Sequence, residues 1–398
     1  MALAETAPPM KGRPDYLLLG LVAGLVVLGL IMVYSSSLAL GLLAFNDAHY
    51  FVTRQTMWAA IGGIMLVVLM RLDYAILRKL SPLLMLASIV GLMAVLVPGL
   101  GLERNGAYRW IAIGPLPPVQ PSEFAKLALI IYVSAWLAAR GTDVRSFYLG
   151  FVPFVLMVGI VAGLVLLEPD TGTAAILILT TMTLFFIAGA SLTHLVALMG
   201  IGGVAASFLI LTSGYRADRL FAFIRAEDDP AGLGFQTIQL LIALGSGGIE
   251  GLGLGASRQK FFYIPGSHTD GIFAIIGEEL GFIGAMAVVV LFAVLVFRGF
   301  RIALNARDDF GALLATGIIS WIAYQALINV GGITRAMPMT GIPMPFLSYG
   351  GSALAALLAA VGILLSVSRY ANGPPLVEEE ENTDEADRPQ RRGRRGAR

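Results

Sequence analysis

TGTAAILILTTMTLFFIAGASLTHLVALMGIGGVAASFLILTSGY, residues 171–215, runs for 45 positions without an Asp, Glu, Lys or Arg. An ionised side chain at the centre of a bilayer costs a few kcal/mol on insertion scales, so charge-free runs mark where a chain meets lipid. A spanning helix needs about 20 apolar residues. This run therefore holds two helices, hinged near Gly189 to Ser191.

Working outward, further uncharged runs occupy residues 16–46, 55–70, 80–102, 146–167, 280–297, 310–334 and 336–368. One more span, from about Pro121 to Ala139, is hydrophobic but carries Glu123 and Lys126. The expectation is an all-α polytopic membrane protein with ten transmembrane helices, an even number that leaves both termini on one side. With the N-terminus in the cytoplasm, Lys11, Arg13, Arg71, Arg78, Lys79, Arg140, Arg145, Arg298, Arg301, Arg307 and Arg369 fall at inner helix ends. Only Arg54, Arg104, Arg109 and Arg335 fall in short outer loops, and eleven against four fixes the orientation. The first span is followed by Ser35-Ser36-Ser37-Leu38-Ala39, no convincing cleavage site, and reads as an uncleaved signal anchor.

Composition agrees. Of 398 residues 57% are hydrophobic and 13% charged, about half the charge of a soluble domain, with a mean hydropathy of +0.81. An ordinary soluble globule is excluded. The 27 basic and 26 acidic residues offer no global field for nucleic acid, and no nucleic-acid or cofactor motif or internal repeat is present. Without cysteine there is no disulfide, thiolate metal site or cysteine nucleophile, and three scattered histidines do not make an imidazole-rich metal centre.

The chain divides into a cytoplasmic segment 1–14, a transmembrane domain 15–370 with a large external loop at 214–269 between helices 7 and 8, and a tail 371–398. The tail carries the acidic block Glu378 to Glu381, then Arg391-Arg392-Gly393-Arg394-Arg395, and reads as disordered. Its role is solubility and anchoring, or docking to anionic lipid or a cytoplasmic partner.

Function is expected outside, where three segments are long or irregular: Gly99 to Gln120, Gly214 to Thr269, and Gly332 to Tyr349. In the second, Phe235 to Ala243 reads as a short amphipathic helix at the interface. Gly251-Leu252-Gly253-Leu254-Gly255-Ala256-Ser257-Arg258-Gln259-Lys260 sets free backbone N–H groups beside two cations, chemistry that suits a phosphate or pyrophosphate or else an ordinary glycine-rich turn. Asp270 or Thr269 stands where a helix N-cap would. Glu278 and Glu279 follow two turns on, about 100° apart, so at least one needs a partner across the bundle. Glu123 and Lys126, three apart on one face, either neutralise each other or supply that partner beside an outward cavity. In the third segment Pro338, Pro343 and Pro345 forbid continuous helix, which implies a re-entrant loop acting as a plug or as the wall of a groove.

Several ordered motifs together resemble one family. They are Tyr108-Arg109-Trp110, Gln120-Pro121-Ser122-Glu123-Phe124-Ala125-Lys126, Glu168-Pro169-Asp170-Thr171-Gly172-Thr173, the segment Tyr215 to Gln239, and Gly253-Leu254-Gly255 with Gln259-Lys260. His268-Thr269-Asp270, Gly277-Glu278-Glu279-Leu280-Gly281, and Thr340-Gly341-Ile342-Pro343 through Tyr349-Gly350-Gly351-Ser352 complete the set. Over residues 14–370 the chain resembles the SEDS family (shape, elongation, division and sporulation), the peptidoglycan glycosyltransferases of the FtsW and RodA type, and looks more like the division branch. Gly271 stands where the family usually has a bulky aromatic, Gly266 where it has an acidic residue, and Arg335 in a loop usually less charged.

The resemblance implies polymerisation of lipid II on the outer face of the cytoplasmic membrane, at the septum if the division branch holds. The donor is a growing glycan on undecaprenyl pyrophosphate, and the acceptor is the 4-hydroxyl of the incoming GlcNAc. It implies Asp270 as the general base. Arg109, Arg216, Arg219 and Lys260 are the candidate pyrophosphate cations, with a divalent cation, Mg or Mn, as the other source of positive charge. Glu123 and Lys126 would organise the cavity, Trp110 would wall it, and His268 and Ser348 would contact substrate. The expected partner is a class B penicillin-binding protein, a transpeptidase whose single helix packs against the bundle, where Gly317 and Ala323 are small enough for close approach. A lipid II flippase and a non-catalytic transpeptidase scaffold would share much of this sequence, and replacement of Asp270 separates them from an enzyme.

Overall fold

The computed structural model describes residues 12–371 except residues 105–106, 115 and 213. Lys11 and the charged blocks of the tail lie outside the described residues. In chain order the elements are α1 (Tyr16–Phe45), α2 (Tyr50–Arg71), α3 (Ala75–Leu96), β1 (Gly101–Arg104), β2 (Ala107–Ile113) and β3 (Leu116–Val119). Then come α4 (Pro121–Ala138), α5 (Val152–Leu167), α6 (Thr171–Ile187), α7 (Leu192–Leu211), α8 (Gly214–Ile224) and α9 (Phe235–Ser246). The chain closes with α10 (Ile272–Leu304), α11 (Asp309–Ile333) and α12 (Ser352–Ala371). Among the described residues, eight helical stretches are long and apolar enough to cross a membrane, α5 being counted with the helical turn Phe147–Phe151 before it, and the apolar helices α6 and α7 are broken apart at residues 188–191, where the sequence placed the hinge. The protein is a multi-pass membrane protein.

Helix starts follow local chemistry. The Asp15 carboxylate accepts from Leu18 N (3.0 Å) at the start of α1, Asp170 from Thr173 N (3.0 Å) at α6 and Asp308 from Gly311 N (2.7 Å) at α11, while Pro121 opens α4. Apolar patterning then decides depth. Helices α4, α11 and α12 are largely enclosed by protein, whereas α1, α2, α3 and α10 turn most of their apolar surface outward, as helices facing lipid do. Two glycines let α2 and α12 touch: a Cβ at Gly62 would lie 2.9 Å from Ala355 Cα, and one at Gly362 2.6 Å from Leu66 O.

The two described chain ends meet at one end of the bundle, where Gly12 N donates to Arg369 O (2.8 Å) and Asp15 N to Ser368 Oγ (3.1 Å). The sheet, α8, α9 and the proline-rich loop belong to the connections of the other end.

Three expectations need correction. The Gly99 to Gln120 segment contains an antiparallel sheet in the order β1-β2-β3, so the fold is not purely α-helical. The uncharged run 336–368 is not one span, because residues 335–351 are irregular and α12 begins only at Ser352. Helix α10 starts eight residues before the uncharged run and is broken at Gly281 (φ 69°, ψ −169°), where a Cβ would sit 2.3 Å from Gly251 N. The glycine-rich loop satisfies the groups freed by that break: Leu252 N donates to Glu278 O (3.0 Å), Gly253 N to Glu279 O (3.0 Å) and Phe282 N to Gly248 O (2.9 Å). Irregular backbone at such depth is tolerated only when protein pairs it in this way.

Candidate active site at the outer end of the bundle

Asp270 lies in the turn that precedes α10. It does not cap the helix: Gly271 is the N-cap and no side chain bonds there, so the capping expectation is corrected. The Thr269 hydroxyl donates to Asp270 Oδ1 at 2.9 Å. Two glycines crowd the carboxylate. A Cβ at Gly266 (φ +71°) would stand 2.4 Å from Oδ1, and one at Gly341 (φ +75°) would stand 3.8 Å from Oδ2 and 3.3 Å from the Arg219 guanidinium. Arg219 reaches this point from α8 and donates to Met339 O at 3.3 Å. Burial pushes the half-buried Asp270 carboxyl above the usual carboxylate range, against the pull of the Thr269 hydrogen bond and the Arg219 charge.

The proline-rich loop forms the wall. Its residues Met344 to Ser348 are buried, so it is at once a packed plug and the scaffold of the carboxylate. Ser348 Oγ accepts from Met344 N (2.8 Å) and donates to Thr269 O (2.6 Å), and Tyr349 N donates to His268 O (2.8 Å). Asn329 of α11 bridges the two segments, donating to Asp270 O at 2.9 Å and Ile342 O at 2.8 Å. Gln55 of α2 donates to Ser348 O at 3.0 Å and accepts from Gly351 N at 3.1 Å. The His268 ring packs on Phe51 (centroids 4.6 Å) and near Tyr349 (5.6 Å), and burial holds its pKa down to about 4, so it is neutral. Ser348 and His268 are thus tied into the segment that carries Asp270, Ser348 through its hydroxyl and His268 through its backbone carbonyl.

Lys260 is placed differently. Its ammonium contacts Glu279 Oε1 (2.9 Å), Ser35 Oγ (3.1 Å) and Gly255 O (2.7 Å), and Ser35 also donates to Glu279. The amides of the glycine-rich stretch are likewise taken: Arg258 N donates to Glu278 Oε1 at 2.9 Å, Gln259 N at 3.4 Å, and the Ser257 hydroxyl bonds Glu278. The nest expected to hold phosphate holds the chain's own carboxylates. The partner across the bundle required for Glu279 is thus Lys260 with Ser35 of α1, not Lys126.

Lys126 pairs with Glu123 of its own helix at 2.8 Å, both buried, and its ammonium lies 4.9 Å from the Trp321 ring centroid. The pair reaches the loop indirectly, because Trp321 donates to Gln325 (2.8 Å), which donates to Pro343 O (2.9 Å). Arg109 on β2 donates to Glu168 O (2.9 Å) and Pro169 O (2.6 Å), tying the sheet to the α5–α6 elbow, with Trp110 the next residue of the strand. Beneath that tie the Glu168 carboxylate is fully buried with neither oxygen hydrogen-bonded. Burial, then the Asp170 charge, raises its pKa to about 8 against the opposing Arg109. Arg335 anchors the outer segment through Glu227 and Phe223 O (3.0 Å). The side chain of Arg216 lies outside the described residues.

The sequence profile of the family described as "Cell cycle protein", which groups FtsW, RodA and SpoVE, matches residues 15–373. The chain belongs to the FtsW/RodA/SpoVE family. It is 46% identical over 363 residues to the stage V sporulation protein E of Bacillus subtilis, covering 91% of this chain and 98% of that one. It is 42% identical over 365 residues to the probable peptidoglycan glycosyltransferase FtsW of Trichlorobacter lovleyi, covering 91% and 95%. Among solved structures it is similar to a chain of a peptidoglycan synthase complex that coordinates polymerization and crosslinking (TM-score 0.74, 30% identity, 90% of this chain and 98% of that one). It is also similar to the rod shape determining protein RodA of Thermus thermophilus (TM-score 0.67, 28% identity, 91% and 98%).

Within this FtsW/RodA/SpoVE fold, a metal held by protein alone does not fit: among the described residues no three His, Cys, Asp or Glu side chains converge, and the cation beside Asp270 is Arg219. Asn329 and Gln55 form the support that the sequence did not single out, and Thr269, marked there as a cap, bonds the carboxylate instead. Gln325 and Asn329, four apart in an otherwise apolar run, were the available signal, since buried amides need partners.

Proposed function

We propose that this family member is a peptidoglycan glycosyltransferase that polymerises lipid II on the outer face of the cytoplasmic membrane, with Asp270 as general base. Ten spans, α6 and α7 completing the eight longer helices, would leave both termini in the cytoplasm and the Asp270 turn outside. The observation that carries the reading is the setting of Asp270: a half-buried carboxylate, basic because it is buried, beside one guanidinium and held in place by two closely packed glycines.

Asp270 takes the proton of the GlcNAc 4-hydroxyl as that oxygen bonds to the anomeric carbon of the growing glycan. The bond from that carbon to the phosphate oxygen breaks, and the electron pair leaves with undecaprenyl pyrophosphate. Arg219 offsets charge developing on the leaving group. Arg109 acts through the strand, holding Trp110 and the sheet over the elbow. Lys260 and the Glu123–Lys126 pair act by fixing the loop and broken helix rather than by touching phosphate. A class B penicillin-binding protein is the proposed partner, supported by the likeness to a synthase complex, and the septum is the proposed site of action.

The test is purified protein with labelled lipid II, alone and with its partner, beside Asp270→Asn. Loss of glycan polymer in a folded Asp270→Asn protein supports the enzyme. Unchanged polymer overturns the assignment and favours a scaffold or a flippase.

A further inference from the structure

Backbone bonds alone close the turn that carries Asp270. Ser267 N donates to Ile264 O at 3.2 Å, and Thr269 N and Gly271 N both donate to Gly266 O, at 2.9 and 3.0 Å. The turn is also held from outside, since Tyr349 N, Ser348 Oγ and Asn329 Nδ2 donate in order to the carbonyls of His268, Thr269 and Asp270. The Thr269 hydroxyl is therefore spare as a structural tie. It stands 3.0 Å from Gly266 O and 2.9 Å from Asp270 Oδ1, within donating distance of both. A hydroxyl has one proton to give. Gly266 O already accepts from two amides and an ionised carboxylate can only accept, so while Asp270 is charged the proton goes to Oδ1 and the contact with Gly266 O is unfilled. Once Oδ1 is protonated, the carboxyl donates to Thr269 Oγ1, and the hydroxyl can donate to Gly266 O. Both contacts are then made. The change is a rotation about one C–O bond, with no heavy atom displaced.

We propose that Thr269 is a positioning residue for the base: its hydroxyl donates to Asp270 Oδ1 while the carboxylate is charged and turns to Gly266 O when that oxygen holds a proton. This rests on the reading of Asp270 as general base and adds the group that sets the strength of that base. The waiting carboxylate has one charge-assisted bond from Thr269, and the carboxyl that has taken the sugar proton keeps a neutral one, so neither state is left without a partner. Among the described residues Arg219 of α8 is the one charged group acting on Asp270, and a guanidinium keeps its charge at every working pH. The other elements packed here present uncharged groups: α11 the Asn329 amide, α2 the Gln55 amide, and α9 no titratable side chain. His268 is neutral and packs on Phe51, while Glu278 and Glu279, two turns along α10, are committed to Ser257 and Lys260. The titration that Thr269 shifts is therefore that of Asp270.

Lipid II polymerisation by the full-length protein is followed as kcat/KM between about pH 5 and 9, a quantity that reports the titration of the free enzyme. Thr269→Val keeps the size of the side chain and removes the donor to the charged form, so Asp270 holds its proton to higher pH. The acid limb should move up by about one pH unit, a loss of about tenfold at a pH on the limb, and rejoin wild type on the plateau; this is the lower end for a hydrogen bond to a charged group, as suits a shared hydroxyl. Thr269→Ser should keep the wild-type limb. Titration of lipid II itself is common to all the proteins and cancels. A Thr269→Val limb that coincides with wild type, with or without a lower plateau, leaves the residue a packing role and overturns the proposal, as does a Thr269→Ser limb displaced as far as that of the valine variant. Asp270→Asn run alongside separates the two readings: if it is inactive while the Thr269→Val limb stays in place, the role of Thr269 falls alone, and full activity in Asp270→Asn overturns both. If Thr269→Val does not fold, Thr269→Ala, which also lacks the hydroxyl, makes the same comparison.

Discussion

Gly266→Ala tests the geometry of the carboxylate without altering its chemistry. Gly266 has φ +71°, a conformation that costs alanine about 1 kcal/mol. The new methyl would lie 2.4 Å from Asp270 Oδ1 and 2.7 Å from Thr269 Oγ1, where ordinary contact begins near 3.4 Å. Relief requires the carboxylate to move by about 1 Å and to give up the Thr269 hydrogen bond, and a displacement of that size at a reacting group costs on the order of 10²-fold in rate. Lipid II polymerisation, followed as glycan product against time over a range of lipid II concentrations, should show the loss in kcat with KM little changed. Gly341→Ala is the graded comparison, since its Cβ would stand 3.8 Å from Asp270 Oδ2 and 3.3 Å from Arg219, and it should lose about tenfold. A folded Gly266→Ala protein that polymerises at the wild-type rate would refute the placement of the base.

Glu168→Gln should remove a pH dependence of stability. The folded protein keeps a proton on Glu168 up to about pH 8, whereas the unfolded chain releases it above 4.5, so this contribution is complete below 4.5 and is lost as pH rises to 8, by roughly 4–5 kcal/mol. The apparent Tm of the variant relative to wild type should therefore climb between pH 5 and 8, and a flat difference would count against the buried acid. Lys260→Met leaves Glu279 buried without its cation and should cost about 3–5 kcal/mol, part of which Lys260→Met/Glu279→Gln recovers. Thermal unfolding that shows no recovery argues against the pair. Asn329→Leu strips hydrogen bonds from Asp270 O and Ile342 O, each worth about 1–3 kcal/mol once unsatisfied, and should lower both Tm and kcat; wild-type kcat in that variant would sever Asn329 from the site.

Membrane character was legible because charge is excluded from lipid, and the break between α6 and α7 was legible because Gly189 to Ser191 interrupts an otherwise uniform run. The same rule failed at residues 336–351, which are equally uncharged but form an irregular loop whose Met344 to Ser348 are buried in protein; the three prolines carried the correct message. The sheet was missed although Asn105-Gly106 between two apolar stretches is a strong hairpin signal. Family resemblance singled out Asp270, Arg219, His268 and Ser348, but not how they are arranged around one another. Arg219 arrives from α8, 51 positions earlier, and Gly341 from a loop 71 positions later, distances over which no local periodicity speaks. Lys260 and Glu279 posed the converse problem. Lys260 looked available for substrate and Glu279 in need of a partner, and the break at Gly281 lets the glycine-rich loop fold back and pair them.

The fate of each acid favours the Asp270 turn as the place of the proposed chemistry. Glu123 is neutralised by Lys126, Glu279 by Lys260, and Glu278 by backbone amides and Ser257. Glu168 keeps its basicity but is fully buried and has no face toward solvent. Asp270 alone among these combines partial exposure with incomplete compensation, since the Thr269 hydroxyl, a backbone hydrogen bond and the nearby Arg219 together do not offset its burial. Its basicity then depends on the substrate. In the proposed reaction, an anionic pyrophosphate drawn to Arg219 would compete for the charge that lowers the Asp270 pKa, so that binding of the lipid-linked donor would make the carboxylate a stronger base at the moment the acceptor hydroxyl must lose its proton. With Arg219 shared between the proposed base and leaving group, proton removal and departure of the phosphate would be coupled through one guanidinium.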